Sequence, residues 1–304
     1  MSSSAEPPGS SDRVSLAVAV IILTVLALSL GDALIKFTSG NFVIWQIFVL
    51  RSAIVLPVLL GYLLIWKPGV LRLPIALRWT VLRSLLLVSM WVSYYLALPH
   101  LDLSIAAAAY YTLPIFMTLF SSIFIGDRIT RLGWAAVVLG FIGVLLILQP
   151  QTGDINLYAL LPLLAAILYA LAMILTRTKC RAVHPIMLSA ALNIGFIVVG
   201  GGAALIIELS FAGQREGFLL ARWAIMGGNE WLSMALLAAA VLIGSVGAAY
   251  AYQNGPPAVI GVFDFAYVGF AVLWGLIFFA EVPDGLALIG IAMIIGAGIM
   301  SVRQ

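Results

Sequence analysis

Ten stretches of mostly apolar residues run through this 304-residue chain, at roughly 16–37, 43–66, 79–99, 103–125, 132–149, 157–176, 185–208, 232–253, 257–280 and 285–302. Most are close to the ~20 residues that a helix needs to cross the hydrocarbon core of a bilayer. No water is present there to satisfy backbone N–H and C=O groups, so each stretch must close its own hydrogen bonds as a helix. The spans absorb most of the chain and leave no segment that would fold as a soluble domain. Composition agrees: 64% of residues are hydrophobic and 9% charged, where soluble domains carry about 25% charged residues. The expected fold class is all-α integral membrane, with ten transmembrane helices.

The formal net charge is +3, and its distribution argues against a nucleic-acid partner. With the N-terminus inside, eleven Lys and Arg residues, among them Arg78, Arg83, Arg128, Arg131 and Arg177, anchor the inner side. Three, Lys36, Arg215 and Arg222, fall outside. That asymmetry is the positive-inside pattern of a multi-pass inner (plasma) membrane protein with both termini cytoplasmic. The single Cys180 sits in a cytoplasmic loop and leaves no partner for an intrachain disulfide. Residues 1–14 read as a disordered cytoplasmic N-terminus. The apolar run Val14–Leu30 is longer than the core of a cleavable signal.

A pattern of two apolar spans joined by a short acidic turn occurs twice, 154 residues apart. One copy is Phe124-Ile125-Gly126-Asp127-Arg128, the other Phe278-Phe279-Ala280-Glu281-Val282. The turn-like Pro150-Gln151-Thr152-Gly153-Asp154 separates a first repeat, 15–150, from a second, 156–303. Five spans in each half make the expected arrangement two inverted five-helix repeats, since an odd number turns the second half over. Secondary transporters are often built this way, with the substrate held where the halves meet. The fifth spans carry Ala136-x-x-x-Gly140 and Ala292-x-x-x-Gly296, a spacing for close helix packing within a bundle or at a dimer face.

In order and spacing, several short stretches resemble the EamA-type branch of the drug/metabolite transporter superfamily. They include Leu50-Arg51, Arg83-Ser84-Leu85-Leu86, Tyr95-Leu96-Ala97-Leu98-Pro99 and Thr112-Leu113-Pro114-Ile115-Phe116. In the second half they are Ala170-Leu171-Ala172-Met173, Ala251-Tyr252, Phe263-Asp264-Phe265 and Glu281-Val282-Pro283-Asp284. This chain has Asp127 where the family pattern usually has Glu, and Phe265 where it often has Tyr. The resemblance implies ten helices in two inverted repeats around a cavity that opens alternately to either side. It says little about the solute, because one fold serves many functions.

Charges within spans cost ~2.5–3.5 kcal/mol at the helix centre on insertion scales, so each needs an account. Asp32 lies roughly 24 Å along the first span, and Arg51 roughly 12 Å from the outer end of the second. Together with Lys36 they form either a binding or gating cluster or a fixed Asp32–Arg51 pair, with Lys36 one turn from Asp32 or snorkelling to the surface. Asp264 stands about seven residues into the ninth span, with no basic residue before it. It is the candidate for proton coupling as well as substrate binding; the alternative is a helix-start carboxylate satisfied by nearby backbone. The repeat register pairs it with Tyr110, since 264 − 154 = 110.

Trp91, Tyr95, Tyr110, Tyr169, Tyr267 and Trp274 lie away from span ends, as do Tyr94 and Tyr111. Buried Tyr and Trp need hydrogen-bond partners, which either a wet, aromatic-lined cavity or core packing supplies. Pro114 removes a backbone bond and should kink the fourth span beside such a cavity. The candidate binding set is therefore Asp32, Arg51, Trp91, Tyr95, Tyr110, Pro114, Tyr169, Asp264, Tyr267 and Trp274. Asn193 reads as interhelical glue.

Enzyme signatures are missing: no His-Glu-x-x-His, no Gly-x-Ser-x-Gly and no phosphate loop. The expectation is a chain without metal or cofactor, acting on a small molecule among membrane lipids as a monomer or homodimer. Its expected function is secondary transport, by alternating access, of an amphipathic or planar metabolite such as an amino acid, vitamin or nucleoside-like compound. An integral-membrane enzyme or lipid-handling protein is the alternative. Direction, and proton coupling against passive exchange, stay open at this point.

Overall fold

The computed structural model describes residues 10–70, 76–126, 130–148, 157–210, 215–264, 266–282 and 284–302, and among them every regular element is helical. The first half contains α1 (Ser10–Thr38), α2 (Ile44–Trp66), α3 (Leu77–Ala97), α4 (Leu103–Tyr110), α5 (Leu113–Phe124) and α6 (Arg131–Leu148). The second contains α7 (Leu160–Thr178), α8 (Pro185–Ser210), the short α9 (Gly217–Leu220), α10 (Gly228–Asn254), α11 (Pro257–Phe263), α12 (Ala266–Phe279) and α13 (Gly285–Val302).

Of the ten expected spans, seven are long and apolar enough to cross a membrane among the described residues, and the other apolar helices are shorter. One reason is a break: the fourth span is two helices, α4 and α5. Pro114 sits in the first turn of α5, where its missing N–H costs nothing but no bond can return to the preceding turn. The ninth span is also two helices, and its break at Asp264 falls close to the same register as the break after Tyr110. Asp127, Arg128, Phe265, Pro283 and the linker 150–154 lie outside the described residues. α1 begins at Ser10, inside the stretch read as disordered.

Contacts between helices recur in matched pairs when the first half is exchanged for the second. α1 packs on α10 as α7 packs on α3; α1 on α12 as α7 on α5; α2 on α10 as α8 on α3. α4 meets α12 as α11 meets α5, while α2–α8 and α6–α13 pair with their own counterparts. The small-residue motifs serve this packing: a Cβ on Gly140 would stand 3.4 Å from that of Ala297 across α6 and α13. Their face is thus used inside the chain. The tightest approach is α1 on α10, where a side chain at Gly244 or Gly247 would collide with Leu28 or Thr24.

The loop after α8 is also tied down. Gln46 on α2 exchanges two hydrogen bonds with the backbone of Ala224, at 2.9 and 2.8 Å, and Trp45 Nε1 donates to the Leu219 carbonyl at 3.0 Å. The packed interior runs between the halves, through α1, α3, α4, α7, α10 and α12.

Candidate functional site

The two broken spans bring their irregular backbone to the centre of the bundle. α4 ends at Tyr110, and α12 begins just after Asp264, so both residues stand where helix gives way. A small cavity of about 20 Å³ lies there, lined by Asp32, Trp91, Tyr94, Tyr110, Tyr169 and Asp264, with Tyr111 and Tyr267 beside them. Six of the ten candidate residues therefore share one wall: Asp32, Trp91, Tyr110, Tyr169, Asp264 and Tyr267.

Asp264 is buried, and its side chain accepts a hydrogen bond from the Tyr252 hydroxyl. This bond stands in place of the backbone satisfaction that was the alternative reading. Asp32 accepts from the Tyr267 hydroxyl, and Tyr94 and Tyr267 share a hydrogen bond of 2.9 Å. Because the Tyr267 proton goes to Asp32, Tyr94 supplies the proton of that second bond. Rings connect the two acids: Tyr94 lies 5.3 Å from Tyr110, Tyr110 5.9 Å from Tyr169, and Tyr169 6.0 Å from Tyr252, centroid to centroid. Spacing of this order suits aromatic pairs.

The charged cluster is not arranged as expected. Asp32 forms no ion pair with Lys36 or Arg51. Arg51 donates to the Tyr95 hydroxyl at 3.0 Å and lies over four rings, those of Phe48, Trp91, Tyr95 and Phe196, at 4.6–5.9 Å. Such a cage offsets part of the cost of burying the cation. Lys36 reaches away from Asp32, because Glu281 is close enough to hold it: their charged atoms lie 2.5 Å apart. Glu281 also accepts the Leu103 N–H at 3.0 Å and so caps α4.

Two further candidates, Tyr95 and Trp274, lie off the cavity wall. Tyr95 is the partner of Arg51. Trp274 donates from Nε1 to Ser29 Oγ at 3.0 Å. Pro114 stands in the first turn of α5. Asn193 is not interhelical glue: it donates to the Ser189 carbonyl of its own helix, and its Oδ1 has no partner.

Two buried polar positions were left out of the candidate set. Tyr252 stood only in the Ala251-Tyr252 stretch of the resemblance, and only the fold brings α10 against Asp264. Arg83 was counted among the inner anchors, yet it is 1% exposed within α3. It donates to Thr176 Oγ1 at 2.6 Å and to the Leu188 carbonyl at 3.4 Å. Its position inside an apolar span was the available clue.

Residues 15–149 match the family model described as the EamA-like transporter family. The chain is 26% identical over 287 residues to the pseudopaline exporter of Pseudomonas aeruginosa, covering 94% of this chain and 95% of that one. It is 29% identical over 220 residues to the riboflavin transporter of Rhizobium johnstonii, 71% of this chain and 66% of the other. A stretch of 97 residues is 31% identical to the S-adenosylmethionine uptake transporter of Rickettsia felis, covering 32% and 33%. A solved crystal structure superposes with a TM-score of 0.70 over 96% of this chain and 97% of its own, at 18% identity, which is a likeness of fold.

Proposed function

We propose, from the premise that this multi-pass membrane chain belongs to the EamA-type drug/metabolite transporters, that it carries a small organic solute across the plasma membrane by alternating access. The observation that carries the proposal is the cavity between the halves, where the broken fourth and ninth spans bring Tyr110 and Asp264 to one wall. Discontinuous helices that free backbone groups at mid-membrane are a recurrent way to build such sites. The matched helix contacts support two inverted five-helix repeats, and the charge bias supports cytoplasmic termini. Transporter-named relatives favour transport over enzymatic chemistry.

In this reading Asp32, Trp91, Tyr110, Tyr169, Asp264 and Tyr267 contact the solute, while Arg51, Tyr95, Pro114 and Trp274 shape the surroundings. The aromatic wall favours an amphipathic or planar metabolite. Asp264, bonded to a neutral hydroxyl and to no cation, is the residue proposed to couple movement to a proton. The test is a thermal-shift screen of the purified protein against metabolites, repeated with Asp264→Asn. Ligands that bind the folded state raise its apparent stability. The proposal expects at least one metabolite to do so in the wild type and to lose most of its effect in the variant; an unresponsive wild type counts against it.

A further inference from the structure

The segment between α8 and α10 is apolar on two faces. Phe218, Ala224 and Met226 turn inward and pack against the interior. Leu219, Leu220, Trp223 and Ile225 turn outward and are exposed, Ile225 by 95%. From Trp223 to Gly227 exposed and half-buried residues alternate one by one. The inward residues explain how the segment is held. The outward ones need another account, because a loop facing water carries polar residues on its free side.

Contacts with three helices fix the level at which this segment lies. Arg215 pairs with Glu208 in the last turn of α8. Trp45 and Gln46, in the first turn of α2, bond the backbone of Leu219 and Ala224. At the start of α10, Glu230 accepts the Gly227 N–H at 3.0 Å. All three helices are long and apolar enough to cross a membrane. The segment therefore lies across their ends, where hydrocarbon gives way to headgroups. Trp45 and Trp231 stand in the first turns of α2 and α10, and tryptophan favours that same level.

We infer that residues 217–227 form an interfacial strap whose partner is the lipid surface. Leu219, Leu220, Trp223 and Ile225 enter the boundary between headgroups and acyl chains in the leaflet at this end of the bundle. Arg222, exposed beside Trp223, is placed to bond a lipid phosphate. A soluble protein would meet this face only above the headgroups, whereas the bonds to α2, α8 and α10 hold it level with the span ends. Both atoms of the Gln46 amide grip the Ala224 backbone, so the strap ties α2 to the leaflet. This rests on the chain being a membrane protein and is independent of the solute it carries.

The test places an NBD fluorophore at Ile225→Cys in the full-length chain, with Cys180→Ala so that only position 225 is labelled, in lipid nanodiscs. A phospholipid carrying a nitroxide near the top of its acyl chain should remove about half of the fluorescence or more, as for a group a few ångströms below the headgroups. Iodide from the aqueous phase should quench several-fold less than it quenches the same label after denaturation. Adding Leu220→Asp and Trp223→Asp should cut the lipid quenching several-fold and leave helix content unchanged. Quenching by iodide without quenching by the nitroxide lipid would place the segment in water. Quenching by neither would place it against protein, either a second copy or a soluble partner. Either result overturns the inference. Undiminished lipid quenching in the doubly acidic variant also overturns it, since the named side chains would then not be what holds the segment in the leaflet.

Discussion

Lys36 Nζ lies 2.5 Å from Glu281 Oε1, and the same ammonium donates to the Leu101 carbonyl at 2.9 Å. One side chain from the end of α1 therefore holds both the turn before α4 and the turn before α13. Both charges are only 14% exposed, which shields the pair from the screening that weakens surface salt bridges. Arg177, at the end of α7, donates to the Gln253 carbonyl at 2.7 Å in the last turn of α10, shortly before α11. In the proposed repeat α7 and α11 correspond to α1 and α4, and in each case a basic residue at a helix end holds backbone just ahead of the corresponding helix.

Removing either partner of the Lys36–Glu281 pair should loosen that end. Glu281→Gln leaves Lys36 without its counter-ion and weakens the charge-assisted contact, by about 2 kcal/mol. A cysteine introduced at Leu101 should then react several-fold faster with a membrane-impermeant maleimide than in the wild-type background. An unchanged rate would mean that the pair does not hold this end closed.

The approach of α1 to α10 depends on glycine. Gly247→Val places a branched side chain against Thr24, and overpacking of this kind typically costs ~1–3 kcal/mol. The variant should melt several degrees lower in detergent, with helix content unchanged before the transition. A melting temperature equal to that of the wild type would contradict the packing described.

Cys180 lies beyond the end of α7 and is fully buried, and burial pushes its thiol up from the ordinary value, against a smaller opposing effect of Arg83. A thiol that is both enclosed and held protonated is a poor nucleophile. The folded protein should resist maleimide at neutral pH and take up one label per chain after denaturation. Rapid labelling of the folded protein would place Cys180 elsewhere.

Tyr267→Phe removes the hydroxyl that bonds Asp32 and accepts from Tyr94. A lost hydrogen bond between buried partners costs about 1–3 kcal/mol. Solute affinity should fall by roughly tenfold, with a smaller fall for Tyr95→Phe, whose hydroxyl serves Arg51 away from the cavity wall. Equal effects would mean that the Asp32 bond has no special part in the site.

Much of the helical framework was legible in the sequence because lipid leaves a span one way to satisfy its backbone. Pro114 also announced its break, since proline acts locally. Asp264 stood out as a charge inside an apolar span, and the repeat register, a property of the whole chain that a single sequence still carries, paired it with Tyr110. Contacts between distant helices were not legible. Lys36 is one turn from Asp32 on α1, yet it bonds a glutamate 245 positions away. Tyr252 meets Asp264 only because α10 and α11 pack as they do. Arg83 was misassigned because a charge count sorts residues by loop and does not see depth within a span.

The most direct test of the central claim is counterflow in proteoliposomes. Vesicles loaded with a metabolite that stabilises the protein should accumulate the labelled form from outside, and an imposed proton gradient should change the rate. Asp264→Asn should keep its fold, lose most of the flux and lose the response to the gradient. Flux that is full and pH-responsive in Asp264→Asn would contradict the role given to the carboxylate at the break of the ninth span.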